Sequence, residues 1–143
     1  MKERDYYPMV ESFFKMKGYY TFVELMVFKS GKVIPDILAV DPSFSKIVTV
    51  EVKLNNFKKA FWQAWTYLSF SDYVYLAFPE HYAHFAIKRY RPIIKKYGLG
   101  IIALMPKVKI LMRSTPSRSP DKKLKHALLH RIRERVLKGA DLP

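Results

Sequence analysis

The chain contains no cysteine, and acidic residues are scarce in it. Without cysteine the protein can form no disulfide, no thiolate-bound zinc site and no cysteine-ligated iron–sulfur cluster. Only 12 aspartates and glutamates stand against 26 lysines and arginines, which gives a formal net charge of +14. This imbalance favours a polyanionic partner, either nucleic acid or an anionic membrane surface.

The chain also lacks an uncharged apolar run long enough to span a bilayer, and its first residues form no apolar signal region. We therefore expect an intracellular, cytoplasmic protein with no membrane partner. Its 143 residues suffice for one domain with a core, and 50% of them are hydrophobic, which favours folding over disorder.

Two apolar, β-branched runs dominate residues 33–53 and are joined by the turn segment Asp41-Pro42-Ser43. This pattern predicts a β-hairpin or two adjacent strands. Three charged residues interrupt it: Asp36 in the first run, and Glu51 and Lys53 on one face of the second. A charge buried in such a strand is costly unless it is paired or binds a metal. The hairpin alone leaves two interpretations open, a salt bridge of Lys53 with one of the acids or a cation site.

The order of these residues resembles a known nuclease signature. Pro35-Asp36 followed by Glu51-Val52-Lys53 is similar to the motif of the PD-(D/E)xK nuclease superfamily, which has the restriction-endonuclease-like fold. Glu11 lies on an expected first helix, where archaeal Holliday-junction resolvases and RecB-type nucleases carry another acid. The segment from Gln63 to Tyr67 is similar to the QxxxY element of RecB-type members. The resemblance covers roughly residues 5–113.

The resemblance implies a metal-dependent DNA endonuclease, with Mg²⁺ as cofactor, Mn²⁺ as its substitute and DNA as partner. It implies four metal ligands: Asp36, Glu51, Glu11 and the backbone carbonyl of Val52. Lys53 would orient the attacking water and stabilise the transition state, while Gln63 and Tyr67 would shape the site or hold the substrate. Archaeal junction resolvases act as homodimers, so we expect a homodimer and a structure-specific substrate.

Two other functions remain open. The chain could be a non-catalytic DNA-binding protein with a nuclease-like fold, acting as a subunit of a larger complex. It could also bind anionic membrane surfaces through its basic C-terminal segment. The presence of all three core residues of the motif, Asp36, Glu51 and Lys53, argues against a loss of catalysis.

Apolar periodicity predicts the element order α-β-β-β-α-β-α-β-β, which fits an α/β sandwich with a mixed central β-sheet flanked by helices. The expected helices cover residues 5–17, 57–70 and 79–97, the last broken near Pro92. Outside the hairpin, strands are expected over residues 19–28, 73–78, 99–105 and 108–112. Glu24, within the first of these strands, is expected to be an edge charge rather than a site acid.

We divide the chain into a nuclease-like core (residues 1–113), a linker (114–120) and a basic C-terminal helix (121–143). Ser119 is the expected N-cap and Pro120 the first helical residue. An apolar stripe follows: Leu124, Leu128, Ile132 and Val136. This stripe should dock on the core or on a second subunit. The basic residues beside it either stay solvated or bind DNA phosphates, and we favour phosphate binding.

Overall fold

The structure is a computed structural model that describes residues 1–28, 32–117 and 120–140. A 3-10 turn at Glu3–Tyr6 leads directly into helix α1 (Tyr7–Lys15). The elements that follow are β1 (Tyr20–Val23), β2 (Ile37–Val40), β3 (Ile47–Val52), α2 (Phe57–Trp65), β4 (Tyr73–Phe78), α3 (Glu80–Lys96), β5 (Gly100–Ala103), β6 (Lys109–Met112) and α4 (Lys122–Ala140).

The strands form one sheet in which their spatial order equals their chain order, from β1 to β6. Strands β1, β2 and β3 form an antiparallel meander. Strands β3, β4 and β5 run parallel, which requires the crossovers made by α2 and α3, and β6 returns antiparallel to β5. The expected α/β class with a mixed sheet flanked by helices is therefore confirmed.

Both faces of the sheet are covered, and strand alternation divides the core into two layers. Leu38 and Leu76 belong to the layer under α2, α3 and α4. Ile37 and Val50 belong to the layer under the 3-10 turn and α1. Every residue of β3 is buried, because this central strand is enclosed from both sides.

Some element boundaries differ from expectation, for local reasons. Strand β1 ends at Val23, not at residue 28, because Glu24 adopts a left-handed conformation with φ 51°. Helix α2 ends at Trp65, where the Thr66 hydroxyl donates to the Gln63 carbonyl at 2.6 Å and competes with the helical ladder. The expected break in α3 is confirmed: Tyr90, two residues before Pro92, has non-helical backbone angles.

Helix α4 is part of the domain core. Its stripe residues Leu128 and Ile132 are buried in the layer formed with α2 and α3. Asp121 caps the helix by accepting from the Leu124 N–H at 3.1 Å. Pro120 therefore precedes the cap instead of opening the helix, while the expected cap, Ser119, lies outside the described residues.

Several basic residues of α4 contact the protein itself. Lys125 Nζ lies 2.8 Å from the Asp72 carboxylate, and Arg131 donates to the backbone carbonyls of Met26 and Val27. Two more arginines lie over aromatic rings: Arg133 over Phe44, and Arg135 over Phe22. The stripe and these contacts together dock the helix on the core, as expected, while phosphate binding by its basic residues stays a prediction. Within the described residues, no helix has the length and apolar character of a membrane span.

A substitution on α4 tests whether this helix contributes to the stability of the whole domain. We expect Ile132→Ala to lower the free energy of unfolding by about 2 to 4 kcal/mol, because the side chain is 1% exposed and its removal leaves a cavity. The matched control on the same helix is Leu137→Ala, which removes a 47% exposed side chain and should change stability by less than about 0.5 kcal/mol. Urea denaturation measures both, and equal effects would contradict the docking of α4.

Candidate functional site

The register of β2 and β3 brings two acids together. Ile37 pairs with Val50 in this antiparallel ladder. Continuing the register by one residue sets Asp36, which directly precedes β2, opposite Glu51. Residues in directly opposed positions have Cβ atoms about 4.5 to 5.5 Å apart. Two carboxylates thus meet where the strand pair ends.

Glu51 is almost fully enclosed, at 3% exposure. One carboxylate oxygen, Oε1, accepts from the Tyr67 hydroxyl at 2.5 Å, and the other, Oε2, lies 3.9 Å from Lys53 Nζ. The same ammonium is 3.6 Å from Oε1 of Glu3, which comes from the 3-10 turn. Both distances exceed the length of about 2.8 Å for a charge-assisted hydrogen bond. Lys53 therefore stands near two carboxylates without forming a tight salt bridge to either.

Asp36 is held from the backbone of the neighbouring strand. Its Oδ2 accepts from the Val52 N–H at 2.7 Å, and Tyr7 of α1 lies beside the carboxylate. The Tyr7 pKa is raised, first by burial and then by the adjacent Asp36 carboxylate. The Tyr67 pKa is raised by burial and by Glu51. Both phenols therefore stay protonated and can donate to the acids.

Simultaneous ionisation of Asp36 and Glu51 is unfavourable. Burial raises the pKa of Glu51 to about 8, and the neighbouring Asp36 adds to the rise, while Tyr67 and Lys53 oppose it. Burial also raises the pKa of Asp36, against the lowering effect of the Val52 N–H, Tyr7 and Lys53. A divalent cation between the carboxylates would reverse this preference, because it stabilises the ionised forms that desolvation disfavours.

The donor atoms present fit a magnesium-type cation. The Val52 carbonyl points to the same side of β3 as its N–H, which is bonded to Asp36. The residue opposite Val52 in the register is Pro35, which has no N–H to offer that carbonyl. Within the described part of the chain, no group of three or more acidic, histidine or cysteine side chains gathers. Proteins commonly hold Mg²⁺ with one or two carboxylates, and water and substrate oxygens complete its coordination, so the carboxylates of Asp36 and Glu51 would be enough.

The structure does not bring Glu11 to this site. Its Oε2 accepts from the Thr21 hydroxyl at 2.8 Å, and Lys15 Nζ lies 3.9 Å away. Thr21 pairs with Ala39, three residues along β2 from Asp36 and therefore about 10 Å from it. Helical spacing places Glu11 on the same side of α1 as Tyr7 and Phe14, which border it at four and three residues, but it does not specify the strand position that Glu11 faces.

The acid that does approach the site from the N-terminal region is Glu3. Besides its proximity to Lys53, Glu3 accepts from the Leu54 N–H at 3.3 Å. The sequence gives no signal for this position, because Glu3 precedes the first expected helix. The place of Tyr7 beside the acids could not be predicted either, because an aromatic residue on an amphipathic helix indicates only packing. Glu24 is exposed and pairs with Arg4, as expected for an edge charge.

The two residues of the QxxxY element have different surroundings. Tyr67 is buried and contacts Glu51 directly. Gln63, one turn earlier, is exposed and lines an open cleft of about 600 Å³ that also includes Tyr67, Ile34 and Lys59. Gln63 can therefore contact a ligand in the cleft, while Tyr67 positions the acid behind it.

The raised pKa of Glu51 predicts an unusual dependence of stability on pH when no divalent cation is present. The native protein binds more protons than the unfolded chain between about pH 4.5 and pH 8, so the free energy of unfolding should fall as the pH rises through that window. Glu51→Gln keeps an acceptor for Tyr67 and removes the charge. We expect this variant to be about 1 to 3 kcal/mol more stable than the wild type at pH 8, with the gain vanishing near pH 4.5.

Urea denaturation in EDTA across this pH range measures the effect. Glu11→Gln removes the same single charge at the Thr21 contact and serves as the control, for which no gain at pH 8 is expected. If the stabilities of the wild type and of Glu51→Gln changed equally between pH 5 and pH 8, the raised pKa of Glu51 would be contradicted.

The comparisons with known proteins bear on the fold alone. No family model and no curated protein matches the chain. Among solved structures the chain is similar to a protein of unknown function from Silicibacter pomeroyi, with a TM-score of 0.62 and 13% sequence identity. The similarity covers 99% of this chain and 93% of that one. The described fold, including α4, is thus similar to that of a solved structure.

Proposed function

We propose that the protein is a divalent-metal-dependent DNA endonuclease with a restriction-endonuclease-like core. The observation that carries the proposal is that two desolvated carboxylates, Asp36 and Glu51, lie opposite each other at the end of the β2–β3 pair. Lys53 follows Glu51 by two residues, and its ammonium lies 3.9 Å from the Glu51 carboxylate. The resemblance of these residues to the PD-(D/E)xK motif supports the same reaction. The net charge of +14 supports a polyanionic substrate.

The residues of the site have separable roles in this proposal. Asp36, Glu51 and the Val52 carbonyl would hold the metal, which when bound would lower the pKa of a water and offset charge on the phosphate. Lys53 presents an ammonium group beside the acids and can donate to the attacking water or to a phosphate oxygen. Tyr67 fixes the orientation of the Glu51 carboxylate through its hydrogen bond.

The substrate is expected to be DNA with a particular structure, such as a junction. Two symmetric cuts on a junction need two active sites, so the junction-resolvase-like form of the proposal includes a homodimer. A panel of branched, linear and single-stranded DNA, incubated with the protein and Mg²⁺, identifies the preferred substrate. Analytical ultracentrifugation determines the number of subunits.

The alternative is a non-catalytic DNA-binding protein that acts as a subunit of a larger complex. One observation favours it: Glu11 lies with Thr21, so the acid pair has one ligand fewer than the resemblance implies. A Mg²⁺-dependent cleavage assay separates the two functions, because the alternative retains DNA binding and shows no cleavage.

Conservative substitutions at the acid pair and the lysine test the proposed chemistry. We expect Glu51→Gln, Asp36→Asn and Lys53→Met each to slow cleavage by at least about a hundredfold, because each removes charge that acts on the transition state. DNA affinity should change little, since it comes mainly from phosphate contacts elsewhere. The matched control is Glu24→Gln, an exposed acid paired with Arg4. Cleavage by Glu51→Gln at the wild-type rate would refute the assignment.

The choice of metal provides an independent test. An all-oxygen site of two carboxylates and a carbonyl should support cleavage with Mg²⁺ or Mn²⁺. Ca²⁺ should bind and yet support little cleavage, because its looser coordination positions water poorly. Gel-based cleavage assays with each metal measure this, and calorimetric titration of Ca²⁺ into the wild type and Asp36→Asn measures binding. Full activity in excess EDTA would exclude the mechanism.

A further inference from the structure

Both tryptophans of the chain are exposed side by side on α2. Trp62 is 63% exposed and Trp65 is 49% exposed, and their ring centroids lie 6.1 Å apart with an interplanar angle of 73°. Their spacing of three residues puts both on one face of the helix. Apolar residues that are exposed singly are normal, whereas large aromatic side chains that lie together on a surface indicate a binding site.

Each tryptophan lines a different cleft, and the two clefts adjoin. Trp62 lines the cleft that contains Lys59 and Tyr67. Trp65 lines a second cleft of about 490 Å³, together with Lys95 and Lys96 from the end of α3. Thr66 lines both clefts, so they form a continuous surface across the end of α2. We call this surface the tryptophan ridge.

The charge on this surface selects the chemistry of its occupant. Lysines stand at both sides of the ridge, and no lining side chain in the described parts of the chain is acidic. Exposed aromatic faces flanked by ammonium groups suit a ligand with flat apolar rings and negative charges at regular intervals. Unpaired nucleotides have both properties, because their bases stack on aromatic side chains while their phosphates bind lysine. In a duplex the base faces are already stacked on one another.

We propose that the tryptophan ridge binds a single-stranded segment of nucleic acid, with bases stacked on Trp62 and Trp65 and phosphates on Lys59, Lys95 and Lys96. This inference rests on the proposed function and narrows its substrate class. Tyr67 lines the first cleft and donates to Glu51, so this one side chain separates a strand bound in that cleft from the Glu51 carboxylate. The preferred substrate then contains an unpaired segment beside the scissile bond.

The two tryptophans themselves provide the readout, since the chain contains no others. The full-length protein is titrated in EDTA with a 12-nucleotide oligothymidylate, and then with a duplex of equal length. We expect the oligothymidylate to quench tryptophan fluorescence and the duplex to quench it much less at equal saturation. Fluorescence that is unchanged by single-stranded DNA bound to the protein would overturn the proposal.

Substitutions separate stacking from general apolar contact. Trp62→Leu and Trp65→Leu should each weaken oligothymidylate binding by about 5- to 100-fold, while Trp62→Phe should stay within about threefold of the wild type. The control is Tyr20→Leu, which removes a 40% exposed aromatic residue on β1, outside both clefts. Binding is followed by the anisotropy of labelled DNA. Wild-type affinity in both leucine variants would overturn the proposal.

The remaining outcomes are also decisive. A concentration-dependent blue shift without DNA, abolished by Trp65→Leu, would make the ridge a self-association surface and refute nucleic-acid stacking. Because binding is measured in EDTA, a stacked complex that shows no cleavage in Mg²⁺ would retain the ridge and reject the nuclease. Cleavage that depends on Glu51 but is indifferent to both tryptophans would retain the nuclease and reject the ridge.

Discussion

The site depends on one register, the pairing of β2 and β3 that sets Asp36 against Glu51. Two carboxylates in this position repel each other and both lose hydration, which is expensive in a buried strand. The surrounding contacts reduce that cost: the Val52 N–H, the Tyr67 hydroxyl and the Lys53 ammonium all favour the charged forms. In the proposed function, a divalent cation bound by both carboxylates would remove much of the remaining cost, because it stabilises their ionised forms.

The sheet supplies the rigidity that this arrangement needs. Slipping the register by one residue would turn every side chain of β3 to the opposite face. Such a slip would place Glu51 in the α1 layer and Val50 against α2. The closed packing of both faces therefore protects the geometry of the acids, and α4 contributes by completing the cover over the α2 and α3 layer.

Much of this arrangement could be predicted from the sequence. Pro92 correctly predicted the break in α3. Alternation in the hairpin predicted that Glu51 and Lys53 are neighbours, and their charged groups lie 3.9 Å apart. The position of Glu11 could not be predicted in this way. Helical periodicity indicates which face of a helix is apolar, but it does not indicate which residue of the sheet lies beneath that face. The proximity of Glu3 to Lys53 could not be predicted, because it follows from the 3-10 turn, which has no apolar pattern of its own.

The hydrogen bond from Arg131 to the Met26 carbonyl joins residues that are 105 positions apart in the chain. The closure entropy of such a long loop must be offset by other packing in the domain, so we expect this contact to form late in folding. During synthesis the α2 and α3 layer would remain partly uncovered until the residues around Ile132 had left the ribosome. The basic terminal helix is therefore the closing element of the fold, and a chain cut before it would lose its cover rather than a detachable arm.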